Sequence, residues 1–451
     1  MSQTRENWSS KLGFVLAAVG SAMGLGAIWR LPYTMGQNGG SAFILLFLLF
    51  NVVIGVPLFI AELALGRAAQ QGTVRSFARF APAGSLWAVG GWLPALAALL
   101  ILGWYCVVAG WGIHYALMSL TRAFGGRSAH EIGALFDLFR ASGELNVLFQ
   151  LLFLAATAWI VARGLSAGIE RYTRSMTLLL FALLAILVIY GTTLPGFTQA
   201  LRYIFVPNFA AVTPTVLLQA LALALFTLSL GHGPIMTYGS YMQHSTDLPK
   251  TAVMVCSANF VASLCIALAI FPLLFSFGFA PEGGEGLVFK ILPFVFEQLP
   301  GSLLFGVLFF VLLIFTALTS SVAQMEVLVA NLMDLRNITR TRAVWIATTA
   351  AFILGVPTAL SESGTVFATW TSIYGDSFLA TSNVLADWTM IIAALITSLF
   401  VGWRLPANIC QQEFCQATAY KRLYTIWLWL IRVIVPLCVA AILLQRVGLF
   451  L

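Results

Sequence analysis

The sequence predicts an all-α polytopic membrane protein of eleven transmembrane helices, with the first and sixth discontinuous. Three observations carry this. Hydrophobic residues make up 60% of the 451 residues and charged residues 9%, with a mean hydropathy of +0.95. Eleven segments offer the roughly 20 apolar residues that a helix needs to cross hydrocarbon: about 11–36, 41–66, 87–121, 146–163, 175–194, 213–241, 250–279, 302–333, 343–360, 366–402 and 424–446. Two of them, five apart, are interrupted by glycine, proline and polar residues at mid-depth. No linker is long enough for a second domain, so 1–451 reads as one transmembrane domain.

The first segment holds GSAMGLGAIWRLP at 20–32. Each glycine in a helix interior costs about 1 kcal/mol relative to alanine. In a bilayer, backbone groups freed by unwinding must find polar partners. Gly20, Gly24 and Gly26 therefore mark either a close helix contact, as the small-xxx-small spacing Gly20/Gly24 allows, or a break that holds a ligand. Arg30 and Pro32 favour the break, because an ionisable residue at membrane depth is a functional candidate by default. Glycines and Arg30 interrupt the segment and no cleavage site follows, so it does not read as a signal peptide.

Lysine and arginine set orientation. With the N-terminus inside, fifteen basic residues fall in inner segments and six in outer loops and the C-terminus. The expectation is a multi-pass protein of the plasma (inner) membrane, N-terminus cytoplasmic and C-terminus extracytoplasmic. The net charge of +7 is then a topology signal and gives no reason to expect nucleic acid as a partner. The six cysteines lack metal or redox spacing.

Along the chain, Arg5 and Trp8 precede the first span as an interfacial anchor, and Asn38-Gly39-Gly40 is a tight turn. Glu62 lies about a turn inside the second span and needs a donor. Tyr105 sits near the middle of the third span, where its hydroxyl needs a partner. Region 122–145 reads as an outer loop of mixed charge. The fourth and fifth spans are plain. The sixth carries the second interruption, Phe226-Thr227-Leu228-Ser229-Leu230-Gly231-His232-Gly233-Pro234. Interruptions at matching places in two halves point to a central site in an inverted-repeat transporter, and this pairing favours the ligand reading of both breaks. Asn259 and Ser263 lie one turn apart on the seventh span. Stretch 280–300 is amphipathic and Pro-bounded, a short capping hairpin. The eighth span clusters Thr316, Thr319, Ser320, Ser321 and Gln324 as a cation or substrate wall, followed by Glu326 and Asp334. Asp376 in the tenth span is an acid wanting a cation, and Arg30 is the candidate.

The chain resembles the neurotransmitter:sodium symporter family, above all its bacterial amino-acid transporters. The resemblance covers essentially the whole chain and rests on RENW at 5–8, GSAMGLGAIWRLP at 20–32, NGG at 38–40, GVPLFIAELALGR at 55–67, WYCVVAGW at 104–111, FTLSLGHG at 226–233, TYGSY at 237–241 and TALTSS at 316–321. It implies an inverted-repeat (5+5) transporter fold, with repeats at about 11–194 and 213–402 and an additional helix at about 424–446. Eleven helices resemble a bacterial subset lacking the family's usual twelfth. The implied function is sodium-coupled amino-acid symport into the cell by alternating access. The alternative is a non-transporting amino-acid sensor of the same fold. Nothing suggests an enzyme.

The resemblance also implies roles. The substrate carboxylate meets amides near Leu25 and Gly26 and the Tyr105 hydroxyl. Its amine meets carbonyls of Ala22, Phe226 and Thr227 and the Ser229 hydroxyl. Gly24 stands where monoamine transporters carry aspartate, which leaves room for a substrate bringing its own carboxylate. Met23, Ile101, Tyr105, Phe226, His232, Ser320 and Gln324 line the side-chain pocket. His232 and Gln324 replace apolar residues of relatives for aliphatic substrates, which suggests a polar or aromatic hydrogen-bonding side chain, or a bound water. One sodium site uses Gly20, Met23, Thr316, Thr319 and Ser320. A second would use Ala22, Thr227, Asn259 and an asparagine that is Ala27 here, so that site is expected to be weak or lost. Positions matching the chloride site are Phe47, Leu223, Thr227, Asn259 and Ser263. Two of the five ligand types are gone, implying no chloride requirement, with Glu326 a possible compensating acid. The outer gate would pair Arg30 with Asp376, and the inner gate Arg5 with Asp334, beside Trp8 and Tyr241.

Overall fold

The computed structural model describes residues 5–280, 284–364, 367 and 369–449. Among them, nine unbroken helices are long and apolar enough to cross a membrane: Ser41–Ala69, Leu86–Leu120, Gly143–Ala162, Leu165–Gly191, Leu248–Ser276, Ser302–Arg336, Arg340–Ala359, Phe378–Trp403 and Lys421–Arg446. A tenth crossing is a bent pair, Lys11–Ala22 and Gly26–Gln37, whose axes differ by 52°. The expected sixth span is in two pieces, Pro214–Thr227 and Pro234–Gly239. Both interrupted segments are therefore discontinuous helices.

The local causes are visible. In the first span the backbone leaves the helix at Met23 (φ −84°, ψ 48°) and resumes as a π-helical turn over Gly26–Arg30 before Leu31–Gln37. In the sixth, Ser229 (φ 56°), Gly231 (φ 84°) and Gly233 (φ 93°) take left-handed conformations, which glycine adopts without steric cost. Pro234 then starts the second piece, where its missing N–H costs nothing. The third span packs along the eighth and tenth, and the first lies against the eighth and the fifth. This brings both breaks into the middle of the bundle.

Three boundaries differ from the sequence reading. The loop at 122–145 contains a helix, Ala129–Ala141, started by a reciprocal capping box between Ser128 and Glu131 and burying Ile132, Phe136 and Phe139. These recur at helical spacing, which the mixed charge of the stretch obscured. The fifth span begins at Leu165, earlier than expected, because the carboxylate of Glu170 is satisfied inside the protein by Ser9 N–H and the Ser9 and Ser10 hydroxyls. The tenth helix begins at Phe378 with Ser377 as its N-cap; residues Trp370–Tyr374 form a separate short helix ended by Gly375 (φ 82°). The amphipathic stretch 280–300 folds as Leu287–Ile291 and Leu292–Glu297, with 281–283 outside the described residues. It is held to Ala129–Ala141 by Lys290 on Asp137 (2.7 Å) and stacked Phe136 and Phe289 rings.

Candidate functional site

The two breaks meet side by side. The Leu25 N–H, freed by the first break, donates to the Tyr105 hydroxyl at 3.1 Å. The Ser21 carbonyl accepts from Ser229 of the second break and from Ser320 of the eighth span, both at 2.9 Å. Thr319 donates to the carbonyls of Gly20 (2.8 Å) and Thr316 (2.9 Å). Oxygens of Gly20, Ser21, Thr316, Thr319 and Ser320 are thus gathered at one point, with no carboxylate hydrogen-bonded to them among the described residues. Such a set suits a hard monovalent cation.

Around this point lies a pocket lined by Ser21, Ala22, Gly24, Gly26, Ala27, Ile101, Tyr105, Phe226, Thr227, Ser229, His232, Ser320 and Gln324. Its free volume is about 20 Å³, room for little more than one water. Of the substrate-pocket residues named from sequence, Met23 and Leu25 lie outside this lining, though Met23 is buried beside it and Leu25 acts through its amide. Two glycines are required by close approach. A Cβ on Gly26 would sit 2.2 Å from the Phe226 ring, and one on Gly24 would sit 2.8 Å from the Ser320 hydroxyl.

Polar side chains at the edge are unevenly satisfied. The Gln324 amide nitrogen lies 2.5 Å from His232 Nδ1. With the amide donating, Nδ1 is the acceptor, and Gln324 Oε1 is left buried with no partner among the described residues. Asn259 reaches Thr227 only at 3.5 Å, and its Oδ1 is likewise unpartnered among the described residues, as is the Ser263 hydroxyl. Ala27 is fully buried beside this region and offers no oxygen. Phe47 stacks on Phe260, and Leu223 is buried and apolar. On the other side, the buried Glu62 finds its donor in the Gly231 N–H at 2.7 Å, so the freed amides of the second break reach back to the second span.

Both ends of the pocket are shut by ion pairs. At the N-terminal end, Arg5 binds Asp334 (2.9 Å) and the Ser240 hydroxyl (2.7 Å) and lies over the Tyr241 ring. Trp8 donates its indole N–H to the Tyr238 carbonyl (3.0 Å), and its backbone N–H reaches Tyr241 (3.2 Å). The Tyr241 hydroxyl donates to Glu326, which also holds Arg340 at 2.7 Å. Glu326 thus belongs to this closure, where two donors already engage it.

At the other end, Arg30 lies over the Phe226 ring, 4.8 Å from its centre, and binds Asp387 at 2.8 Å. The expected pairing with Asp376 is corrected. Asp376 is exposed, just before the N-cap of the tenth helix, whereas Asp387 is buried about three turns further along. Drawing the span from 366 placed the wrong acid at depth. The signal for the right one was available in Asp387 itself, an acid between the apolar Val384-Leu385-Ala386 and Trp388 and ahead of the long apolar stretch from Met390. A second residue missed from sequence is Arg446, whose guanidinium also contacts Asp387, at 3.1 Å.

The model of the sodium:neurotransmitter symporter family matches residues 5–132 and 124–450. The chain belongs to the sodium:neurotransmitter symporter family. It is 37% identical over 447 residues to the sodium-dependent transporter YhdH of Bacillus subtilis, covering 98% of this chain and 97% of that protein. It is 26% identical over 467 residues to the sodium-dependent dopamine transporter of Caenorhabditis elegans, covering 88% of this chain and 73% of the relative. The crystal structure of MhsT in complex with L-phenylalanine superposes with a TM-score of 0.89 at 38% identity, over 99% of this chain and 100% of that one. This symporter is therefore a sodium-dependent transporter and not an enzyme, and its two discontinuous helices are the family's architecture.

Proposed function

We propose that this symporter moves an amino acid into the cell together with one sodium ion, by alternating access around the pocket between the two breaks, and that the N-terminus is cytoplasmic. The observation that carries this is the Leu25 amide held on Tyr105 beside the Gly20–Ser21 carbonyls and the Thr319 and Ser320 hydroxyls. A zwitterion and a monovalent cation need this combination of backbone donors and neutral oxygens, close enough to be bound together. The carboxylate takes the amides near Leu25 and Gly26 and the Tyr105 hydroxyl. The amine takes the carbonyls of Ala22, Phe226 and Thr227 with the Ser229 hydroxyl. Sodium takes Gly20, Met23, Thr316, Thr319 and Ser320.

One ion suffices. A potential of 100 mV contributes about 2.3 kcal/mol per charge, and a tenfold sodium gradient about 1.4 kcal/mol. Together they support roughly 500-fold accumulation of a neutral zwitterion. Ala27 removes one oxygen from the second sodium site, and Phe47 and Leu223 withdraw two ligands from the chloride site, so neither a second sodium nor chloride is required. For the side chain, the unpartnered Gln324 oxygen beside His232 favours an aromatic amino acid carrying an N–H or O–H donor. MhsT was solved with L-phenylalanine, which supports the aromatic class.

The test is uptake of labelled tyrosine into proteoliposomes under an inward sodium gradient, with all twenty amino acids as competitors and chloride replaced by gluconate. Sodium-driven uptake, unaffected by gluconate and blocked better by tyrosine and tryptophan than by leucine, is expected. If none of the twenty affects a sodium-driven flux, or no such flux exists, the reading is wrong.

A further inference from the structure

The Asp387 carboxylate has two cations, where an ion-pair gate needs one. Its Oδ2 accepts from Arg30 at 2.8 Å and from Arg446 at 3.1 Å. The three groups come from different elements. Arg30 ends the π-helical turn after the first break, Asp387 is on the tenth span, and Arg446 closes the last helix, Val435–Arg446. That last helix packs along the tenth span, whereas its contacts with the two broken segments are fewer. Arg446 also lies over Trp388, the neighbour of Asp387. Between Arg30 and Arg446 opens a polar vestibule of about 360 Å³, whose walls include Gln37, Gln219 and Gln445.

We infer that Arg446 is a positioning residue of this gate: it keeps Asp387 paired when Arg30 moves away to admit substrate. The inference rests on the alternating-access reading above. Removing one partner of a buried ion pair leaves an uncompensated charge and is strongly unfavourable. Asp387 is only 6% exposed, so a gate of Arg30 and Asp387 alone would be held shut by the cost of stranding that carboxylate. Arg446 travels with Asp387, and so the carboxylate exchanges one cation for another. Its second donor also weakens the hold of Arg30 in the closed state. Both effects lower the barrier to opening toward the vestibule.

The experiment places a cysteine at Ala222, on the vestibule wall, and follows its modification by a charged thiol reagent with and without sodium, beside sodium-driven uptake in proteoliposomes. The same protein lacking the Ala222 change corrects for native cysteines. Arg446→Gln is expected to cut the sodium-stimulated labelling rate and the maximal uptake at least fivefold, and Arg446→Lys to restore most of both. In an Asp387→Asn background, where no carboxylate is stranded, Arg446→Gln is expected to change labelling less than twofold. Faster labelling in Arg446→Gln would make Arg446 a brace of the closed gate and overturn the inference. An equal effect of Arg446→Gln with and without Asp387→Asn would overturn it too. Absence of any sodium response in the unsubstituted protein would instead strike the transport reading itself, and the two failures are told apart by that control.

Discussion

At the residue scale the site is built from what side chains leave out as much as from what they supply. Gly26 exists because Phe226 occupies the space a Cβ would need. Gly26→Ala would push the ring against Arg30, and we expect uptake to fall at least tenfold while the protein still folds, checked by transport against size-exclusion behaviour. Ala27 is the converse, a methyl where the proposed second cation site would need an amide oxygen, near the unpartnered Asn259 Oδ1. Sodium activation of uptake should therefore have a Hill coefficient near one, rising toward two in Ala27→Asn. A coefficient already near two, unchanged by the substitution, would count against a single-ion mechanism. The Gln324 amide N–H engages His232 while its oxygen stays unpartnered among the described residues, and His232→Phe should shift competition toward leucine and valine. An unchanged competition profile would reject their role in selectivity.

At the scale of elements, the breaks were legible because glycine clusters that singly could mark close helix contacts recur with proline and polar residues five segments apart. The cysteine-poor, apolar spans were legible from length alone. The tenth span was less so, since the apolar residues on both sides of the Gly375–Ser377 turn were joined into one segment from 366 to 402, across the turn that sets the true helix start. That single boundary displaced the gate acid from Asp387 to Asp376. Arg446 escaped notice for a different reason. It lies 59 positions from its partner, and no local pattern announces a contact at that range. The helix Ala407–Cys415 after the tenth span gives a further case. Its Glu413 meets the fully buried Arg67 of the second span at 2.5 Å, and Arg67 also bonds the carbonyls of Thr246 and Glu413. Breaking a buried pair from one side costs about 3–5 kcal/mol. Glu413→Gln should therefore lower the melting temperature in detergent by several degrees; no shift would mean that the carbonyl contacts alone hold Arg67.

At the scale of the whole molecule, both closures are made at once. Arg5 holds Asp334 at one end and Arg30 holds Asp387 at the other, with the central pocket reduced to about 20 Å³ between them. On the proposed alternating-access mechanism, this is the occluded arrangement that transport must pass through. Opening either end breaks one ion-pair network and leaves the other intact, so the two ends need not open together. Concentrative transport follows only if sodium and amino acid are bound jointly in that closed space. The measurement that bears most directly on this is equilibrium binding of labelled tyrosine to the purified protein as sodium is varied at constant ionic strength, in the unsubstituted chain and in Thr319→Val. Binding that rises with sodium to saturation, fails in potassium, and loses at least tenfold in apparent sodium affinity in Thr319→Val is the predicted result. Binding of equal strength in potassium, or a sodium response indifferent to Thr319, would contradict the account.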